Sequence, residues 1–148
     1  MYGIPILPPL VALVFFAVWA IVLVLSVGAW RVAEVMAGRK AINGFSPGTP
    51  HGGDMYWRVN RAHMNTVENL PIFGTLVVAG TLLQINDAPF QLLPSLILYA
   101  RIAQSLIHIA SGSSLAVTLR FTAYAVQLVG MIVIAAVDLK ASGVPLPW

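Results

Sequence analysis

Residues 58–68 read RVNRAHMNTVE and lead directly into an apolar run, NLPIFGTLVVAGTLL, at residues 69–83. A helix turns by about 100° per residue, which places four polar side chains of this stretch within an arc of about 80°: Arg58, Arg61, Asn65 and Glu68. Ionisable side chains at membrane depth are costly unless they are paired or face a wet cavity. We therefore predict a functional site on this face. The alternative is that the two arginines anchor the helix at the lipid headgroups, with Glu68 as their structural partner.

The composition is that of an integral membrane protein. Of the 148 residues, 59% are hydrophobic and only 9% are charged, whereas about a quarter of the residues of a soluble domain are charged. The absence of cysteine excludes disulfides, thiolate metal sites and a protein thiol nucleophile. The net charge of +3 is spread without a basic run, so no nucleic-acid partner is predicted. Three histidines without a carboxylate at ligand spacing predict no metal site.

Four apolar stretches are long enough to cross a bilayer, which takes about 20 residues each. They lie at about residues 9–30, 57–83, 90–110 and 115–139. The connections between them are short, and short connections join antiparallel neighbours. We therefore predict an all-α integral membrane protein, a four-helix up-down bundle formed as a single domain by residues 1–148.

The distribution of Lys and Arg predicts the orientation of this bundle. The first connection and its flanks contain five of them, namely Arg31, Arg39, Lys40, Arg58 and Arg61, and Arg120 follows the third connection. The second connection contains none, and the C-terminal tail contains only Lys140. The first and third loops are therefore predicted to be cytoplasmic, with both termini outside.

Polar stripes also occur on the third and fourth predicted helices. The third has Arg101, Gln104, Ser105 and His108 at the spacing i, i+3, i+4, i+7, and the fourth has Arg120, Tyr124 and Gln127 at i, i+4, i+7. These spacings each define one helix face, so the three stripes are expected to meet.

A pocket formed by these stripes would hold several arginines and one carboxylate, which favours an anionic ligand because the guanidinium fork matches carboxylates and phosphates. Glu68 could neutralise Arg61 or Arg101, or it could receive a ligand ammonium group. The alternative is an interhelical polar network that only fixes the helix register.

The segment RVNRAHMNTVENLP, followed by IFGTLVVAG, resembles the second helix of the MAPEG family, the membrane-associated proteins in eicosanoid and glutathione metabolism. The family pattern R-x-x-R-A-x-x-N-x-x-E leading into a proline is matched by Arg58, Arg61, Ala62, Asn65, Glu68 and Pro71. ARIAQSLIHIA (residues 100–110) and LRFTAYAVQLVG (residues 119–130) are similar to the family's third and fourth helices. The resemblance covers essentially the whole chain.

This resemblance implies a homotrimer of four-helix subunits that binds glutathione between neighbouring subunits, toward the cytoplasmic side. Arg120 is the candidate catalytic residue, which would stabilise the glutathione thiolate. The candidate glutathione-binding residues are Arg39, Arg58, Arg61, Asn65, Glu68, Arg101, Gln104, His108 and Tyr124, with Lys40 as the alternative to Arg39. Membrane lipids and a lipophilic small-molecule substrate are the other expected partners.

The chain departs from the family pattern at several positions. His108 stands where well-studied members have a tyrosine that holds glutathione, and Gln104 stands where an aromatic residue or histidine is common. The Arg101 to Arg120 spacing is a few residues longer than expected, and Trp57 replaces an acid. A bacterial-type member in the inner membrane is expected.

Two functions follow from these observations. The first is a glutathione transferase or peroxidase, in which the thiolate attacks a lipophilic electrophile or a hydroperoxide. The second is a noncatalytic trimeric membrane protein that binds another anion or a lipid. A small transporter is disfavoured because the chain has too few helices for a repeated rocking unit.

Overall fold

The computed structural model describes residues 5–45 and 53–143, which form four α-helices and, within those ranges, no strand. The helices are α1 (Pro9–Met36), α2 (Asp54–Leu82), α3 (Ala88–Ala110) and α4 (Ser114–Ala141). Three of them, α1, α3 and α4, are long and apolar enough to cross a membrane. The prediction of an all-helical membrane protein is therefore confirmed. With 29 residues, α2 is also long enough to cross a membrane, but its polar side chains make it less apolar than the other three helices.

The helix ends follow local sequence signals. Pro9 occupies the first turn of α1, where its missing N–H costs nothing. Ser113 caps α4, since its Oγ accepts a hydrogen bond from the Ala116 backbone N–H at 3.3 Å. Gly38 follows α1 with a φ of 66°, the left-handed conformation that glycine adopts without steric cost.

One predicted boundary was wrong. The prediction began the first connection at Arg31, but α1 continues to Met36. The first charge after an apolar run indicates where lipid ends, not where the helix ends. Ala33, Glu34 and Met36 are good helix formers, so the helix continues into the polar region.

Contacts between distant residues show that neighbouring helices are antiparallel. At one end of the bundle, Arg31 in α1 donates to the Tyr56 hydroxyl at the start of α2, at 2.9 Å. Arg58, one turn into α2, donates to the Ile109 carbonyl at the end of α3, at 3.0 Å. The helices α2 and α3 pack against each other and against both outer helices, whereas α1 and α4 are not packed together in the described ranges.

The core lies between the helices and is made of large apolar side chains. Phe16 of α1 and Phe73 of α2 are fully buried, with ring centroids 5.0 Å apart. The outer faces are apolar as well, as shown by Leu25, which is 64% exposed, and Phe121, which is 70% exposed. Apolar residues on both the inner and outer sides are expected where lipid replaces water.

The opposite end of the bundle is held by close packing at Gly80. A Cβ atom at this position would overlap the ring of Phe90 and lie 2.7 Å from Oδ1 of Asp138. These three residues lie on α2, α3 and α4, respectively. The glycine therefore allows three helices to approach one another closely.

Candidate functional site

Between α2, α3 and α4 lies a polar cavity of about 270 Å³, lined by Asn65, Glu68, Asn69, Gln104 and Tyr124. Its wall offers one carboxylate, three amides and one phenol, in a chain of which 59% is hydrophobic. Each of the three helices contributes at least one of these residues through the polar stripe predicted from its sequence. The cavity can accept an ammonium group at Glu68 and can donate hydrogen bonds from its amides and its phenol.

Glu68 is exposed at the middle of α2, and Arg61 is exposed two turns before it. The described residues contain no ion pair that involves either of them. Glu68 therefore lines the cavity and is also accessible from outside the single chain. A carboxylate that faced lipid without a partner would be costly, so a polar cover on this face would stabilise it.

Arg101 lies deep between the helices, with 1% of its surface exposed. Its Nε and Nη2 atoms are buried and form no hydrogen bond. The guanidinium stands 5.8 Å from the centre of the Phe16 ring, within the range of a cation–π interaction. Tyr124 and Glu68 lie within electrostatic range of it, but it forms no ion pair within the described residues. Arg101 therefore supplies a buried positive charge behind the cavity.

The Gln104 side chain is held by a hydrogen bond across the helices. The Nε2 atom of the fully buried Gln127 donates to Gln104 Oε1 at 3.0 Å and also to the Ala123 carbonyl at 2.8 Å. Gln127 Oε1 is buried without a partner. Gln127 thus connects α4 to the cavity wall on α3.

Three arginines lie within electrostatic range of His108, near the other end of the stripes. Arg58, Arg61 and Arg120 are all close enough to act on His108 electrostatically. Arg58 has its Nε bonded to the Ile109 carbonyl, and Arg61 stands 6.0 Å over the Trp57 ring. The structure therefore brings the predicted cations of α2 and α4 to one region next to the predicted α3 residue.

Arg39 lies apart from this group. It forms an ion pair with Glu34, with Nη2 and Oε1 2.7 Å apart, on the exposed surface beyond α1. The Glu34 carboxylate raises the pKa of the Arg39 guanidinium above its usual value. Within the single chain, Arg39 contacts its own helix end and none of the cavity residues.

The structure thus places Asn65, Glu68, Gln104 and Tyr124 on one cavity, with Arg101 behind it. Arg58, Arg61 and Arg120 lie within electrostatic range of His108. Asn69 lines the cavity too, and the sequence reasoning missed it. Helical periodicity could have identified it, because on a helical projection Asn69 lies about 20° from Arg58, next to the arc of polar side chains predicted on this helix. No group of three or more His, Cys, Asp or Glu residues that could hold a metal ion occurs in the described part of the chain.

A comparison with protein-family models gives one finding: the model of the MAPEG family matches residues 9–138. This match includes α1, α2, α3 and nearly all of α4, and hence every residue of the cavity. No curated protein matches the sequence.

Proposed function

Because the chain belongs to the MAPEG family, a family with glutathione-related functions in membranes, we propose that it is a membrane-bound glutathione-dependent transferase or peroxidase. The observation that carries this proposal is the polar cavity beside Glu68, with the buried cation of Arg101 behind it. Glutathione has an ammonium group, two carboxylates and a thiol. The cavity and its arginines offer complementary groups for each charged part.

The exposed charges of α2 support a homotrimer with glutathione bound at the subunit interfaces. Glu68 and Arg61 are exposed in the single chain, at a depth where lipid cannot solvate them. A second subunit packed on this face would remove both from lipid and close the cavity from the side. In this arrangement α2 is the fourth membrane crossing, with its polar face turned toward the partner subunit.

In this proposal Glu68 receives the ammonium group of glutathione, while Arg61 and Arg101 attract its carboxylates. Asn65, Gln104 and Tyr124 form hydrogen bonds to its polar groups. Arg58 and His108 border the thiol end with Arg120, and Arg39 would reach glutathione only by leaving Glu34.

Arg120 is the proposed catalytic residue because it is the half-buried cation of α4 near His108. A free thiol has a pKa of about 8.5, so little thiolate exists at neutral pH. Lowering this pKa by about 2 units requires about 2.7 kcal/mol of preferential stabilisation of the thiolate. A nearby guanidinium can supply interaction energy of this order in a site shielded from water.

The thiolate would then react with a lipophilic substrate that arrives from the bilayer. With an electrophile, the sulfur lone pair forms a C–S bond and the leaving group departs with its electron pair. With a hydroperoxide, the sulfur attacks the terminal oxygen, the O–O bond breaks, and the alkoxide takes a proton to become an alcohol. A second glutathione converts the resulting sulfenic acid to the disulfide and water.

The Lys and Arg distribution supports a site on the cytoplasmic side, with the first and third loops in the cytoplasm and both termini outside. A bacterial inner membrane is the proposed location.

The decisive experiment is a glutathione titration of the purified protein, followed by the ultraviolet absorbance of the thiolate. We expect a thiolate signal near neutral pH in the wild type and its loss in Arg120→Ala. Lys140→Ala is the matched control, because it removes an exposed cation from the other end of the same helix. A thiolate signal that persists in Arg120→Ala would exclude the proposed role of this arginine.

The second candidate function is a noncatalytic trimer that binds another anion, such as a lipid headgroup. It is favoured by His108 at a position where well-studied members have tyrosine, by Gln104 where an aromatic residue or histidine is common, and by the unpaired guanidinium of Arg101. Retention of anionic lipid through purification, together with no glutathione binding at millimolar concentration, would support this function over the first.

A further inference from the structure

We propose that Gln127 is a positioning residue that holds the Gln104 amide with its NH₂ group toward the cavity, so that the site selects a ligand with an acceptor oxygen at this point. The acceptor would be a carboxylate or peptide carbonyl oxygen. This inference rests on the proposed function of the cavity as a ligand site, and it adds a hydrogen-bond requirement to it.

The orientation of Gln127 follows from the backbone. The Ala123 carbonyl lies 2.8 Å from one terminal atom of the Gln127 amide. A carbonyl oxygen can only accept hydrogen bonds, so this atom must be the donor Nε2. Amide oxygen and nitrogen are often hard to distinguish, but here the opposite assignment would place two acceptors face to face.

The orientation of Gln104 follows from that of Gln127. The same Nε2 lies 3.0 Å from the Gln104 side chain. Because Nε2 only donates, the Gln104 atom that meets it must be the acceptor Oε1. Gln127 then uses both of its N–H groups, one on the backbone of α4 and one on Gln104.

The Gln104 NH₂ group is left for the cavity. It donates to no group in the described parts of the chain, and it is not among the buried atoms without a partner. Gln104 itself lines the cavity next to Tyr124. An acceptor oxygen on the ligand would therefore be the hydrogen-bond partner of the Gln104 NH₂ group.

The buried Oε1 of Gln127 supports a positioning role. This atom has no hydrogen-bond partner although it is fully enclosed, and buried acceptors without partners are rare because they are costly. If Gln127 served packing alone, a leucine at this position would fill the space without leaving a buried acceptor unpaired. Gln127 instead retains the unpaired Oε1, while its Nε2 fixes the orientation of Gln104.

The first test observes the orientation directly and does not depend on any ligand. The chain has four glutamines, Gln84, Gln91, Gln104 and Gln127, so ¹⁵N-glutamine labelling gives four pairs of side-chain NH₂ signals in detergent micelles. We expect the Gln127 NH₂ to be protected from exchange with water and the Gln104 NH₂ to exchange. In Gln127→Leu, the Gln104 signal should shift and broaden. A protected Gln104 amide beside an exchanging Gln127 amide would overturn the proposal.

The second test measures the effect on binding, with S-methylglutathione as the probe because it needs no thiolate. We expect Gln104→Leu and Gln127→Leu each to raise Kd by about fivefold, as for the loss of one neutral hydrogen bond. The double variant should bind the probe with the same Kd as Gln104→Leu or a lower one, since Gln127 acts through Gln104. Effects that multiply in the double variant would refute this relation.

The two tests separate this inference from the proposed function. If the wild type does not bind S-methylglutathione while the exchange pattern is as expected, the glutathione function fails and the orientation of Gln104 stands. If the wild type binds the probe and Gln104→Leu binds it equally well, the donor role of Gln104 is wrong although the glutathione function survives.

Discussion

Replacing Gly80 with alanine tests whether close approach of three helices stabilises the bundle. The added Cβ would overlap the ring of Phe90 and lie 2.7 Å from Asp138 Oδ1. Phe90 is 2% exposed and Asp138 is 7% exposed, so neither can turn away freely. Relief requires a shift of α3 or α4 relative to α2.

The magnitude follows from two opposing effects. Inserting a methyl group into a well-packed core costs about 1–3 kcal/mol. Alanine is the better helix former and recovers up to about 1 kcal/mol relative to glycine. We therefore expect Gly80→Ala to lower the free energy of unfolding by up to about 2 kcal/mol.

Gly74→Ala is the matched control for this substitution. Gly74 lies in the same helix, and its added Cβ would meet only Leu13 Cδ1 at 3.7 Å, an ordinary van der Waals contact. This variant gains the same helix propensity without the overlap, so its stability should equal or exceed that of the wild type. The comparison therefore isolates the steric effect.

The assay is unfolding of the purified protein by sodium dodecyl sulfate in mixed micelles, followed by helical circular dichroism. The transition of Gly80→Ala should occur at a lower detergent fraction than those of the wild type and Gly74→Ala. Phe90→Leu in the Gly80→Ala background should recover part of the loss by making room for the methyl group. Equal transitions for Gly80→Ala and Gly74→Ala would refute the close-packing argument.

Two further predictions concern Glu68 and Ser113. Glu68→Gln keeps the shape of the side chain but removes its charge, so a charge-assisted hydrogen bond to the ligand ammonium group is lost. The Kd for S-methylglutathione, measured by calorimetry, should therefore rise about tenfold. An unchanged Kd would contradict the proposed contact between Glu68 and the ammonium group. Ser113→Ala removes the cap of α4 and should lower the free energy of unfolding by about 1 kcal/mol, measured in the same micelle titration; Ser142→Ala, just beyond the other end of α4, should have a smaller effect.

Helical periodicity predicted much of the cavity because side-chain direction repeats with the turn of the helix. It identified Asn65 and Glu68 on α2, Gln104 on α3 and Tyr124 on α4, all of which line the cavity. These predictions needed only the angle of each residue around its own axis. Asn69 has a similar angle, but it lies one residue beyond the carboxylate that ends the motif, so the motif did not include it.

Other features could not be predicted because they depend on the relative height of different helices. The hydrogen bond from Gln127 to Gln104 requires α3 and α4 to be aligned along their axes, which periodicity does not provide. The pairing of Arg39 with Glu34 requires the chain to turn back after α1. The end of α1 was misplaced for a related reason, since hydropathy reports the lipid boundary and not the last helical residue.

The length of α1 has a consequence for how the two proposed substrates arrive. Its 28 residues extend over about 42 Å, whereas the hydrocarbon core of a bilayer is about 30 Å thick. In the proposed orientation, the last turns with Arg31 and Glu34, and the following Arg39, would project into the headgroups and the water beyond them. A charged tripeptide would first meet this projecting rim from the aqueous phase, and its rate of capture should fall as salt screens the rim. The lipophilic substrate dissolves in the bilayer and would come from the side, so the two reactants need never compete for one entrance.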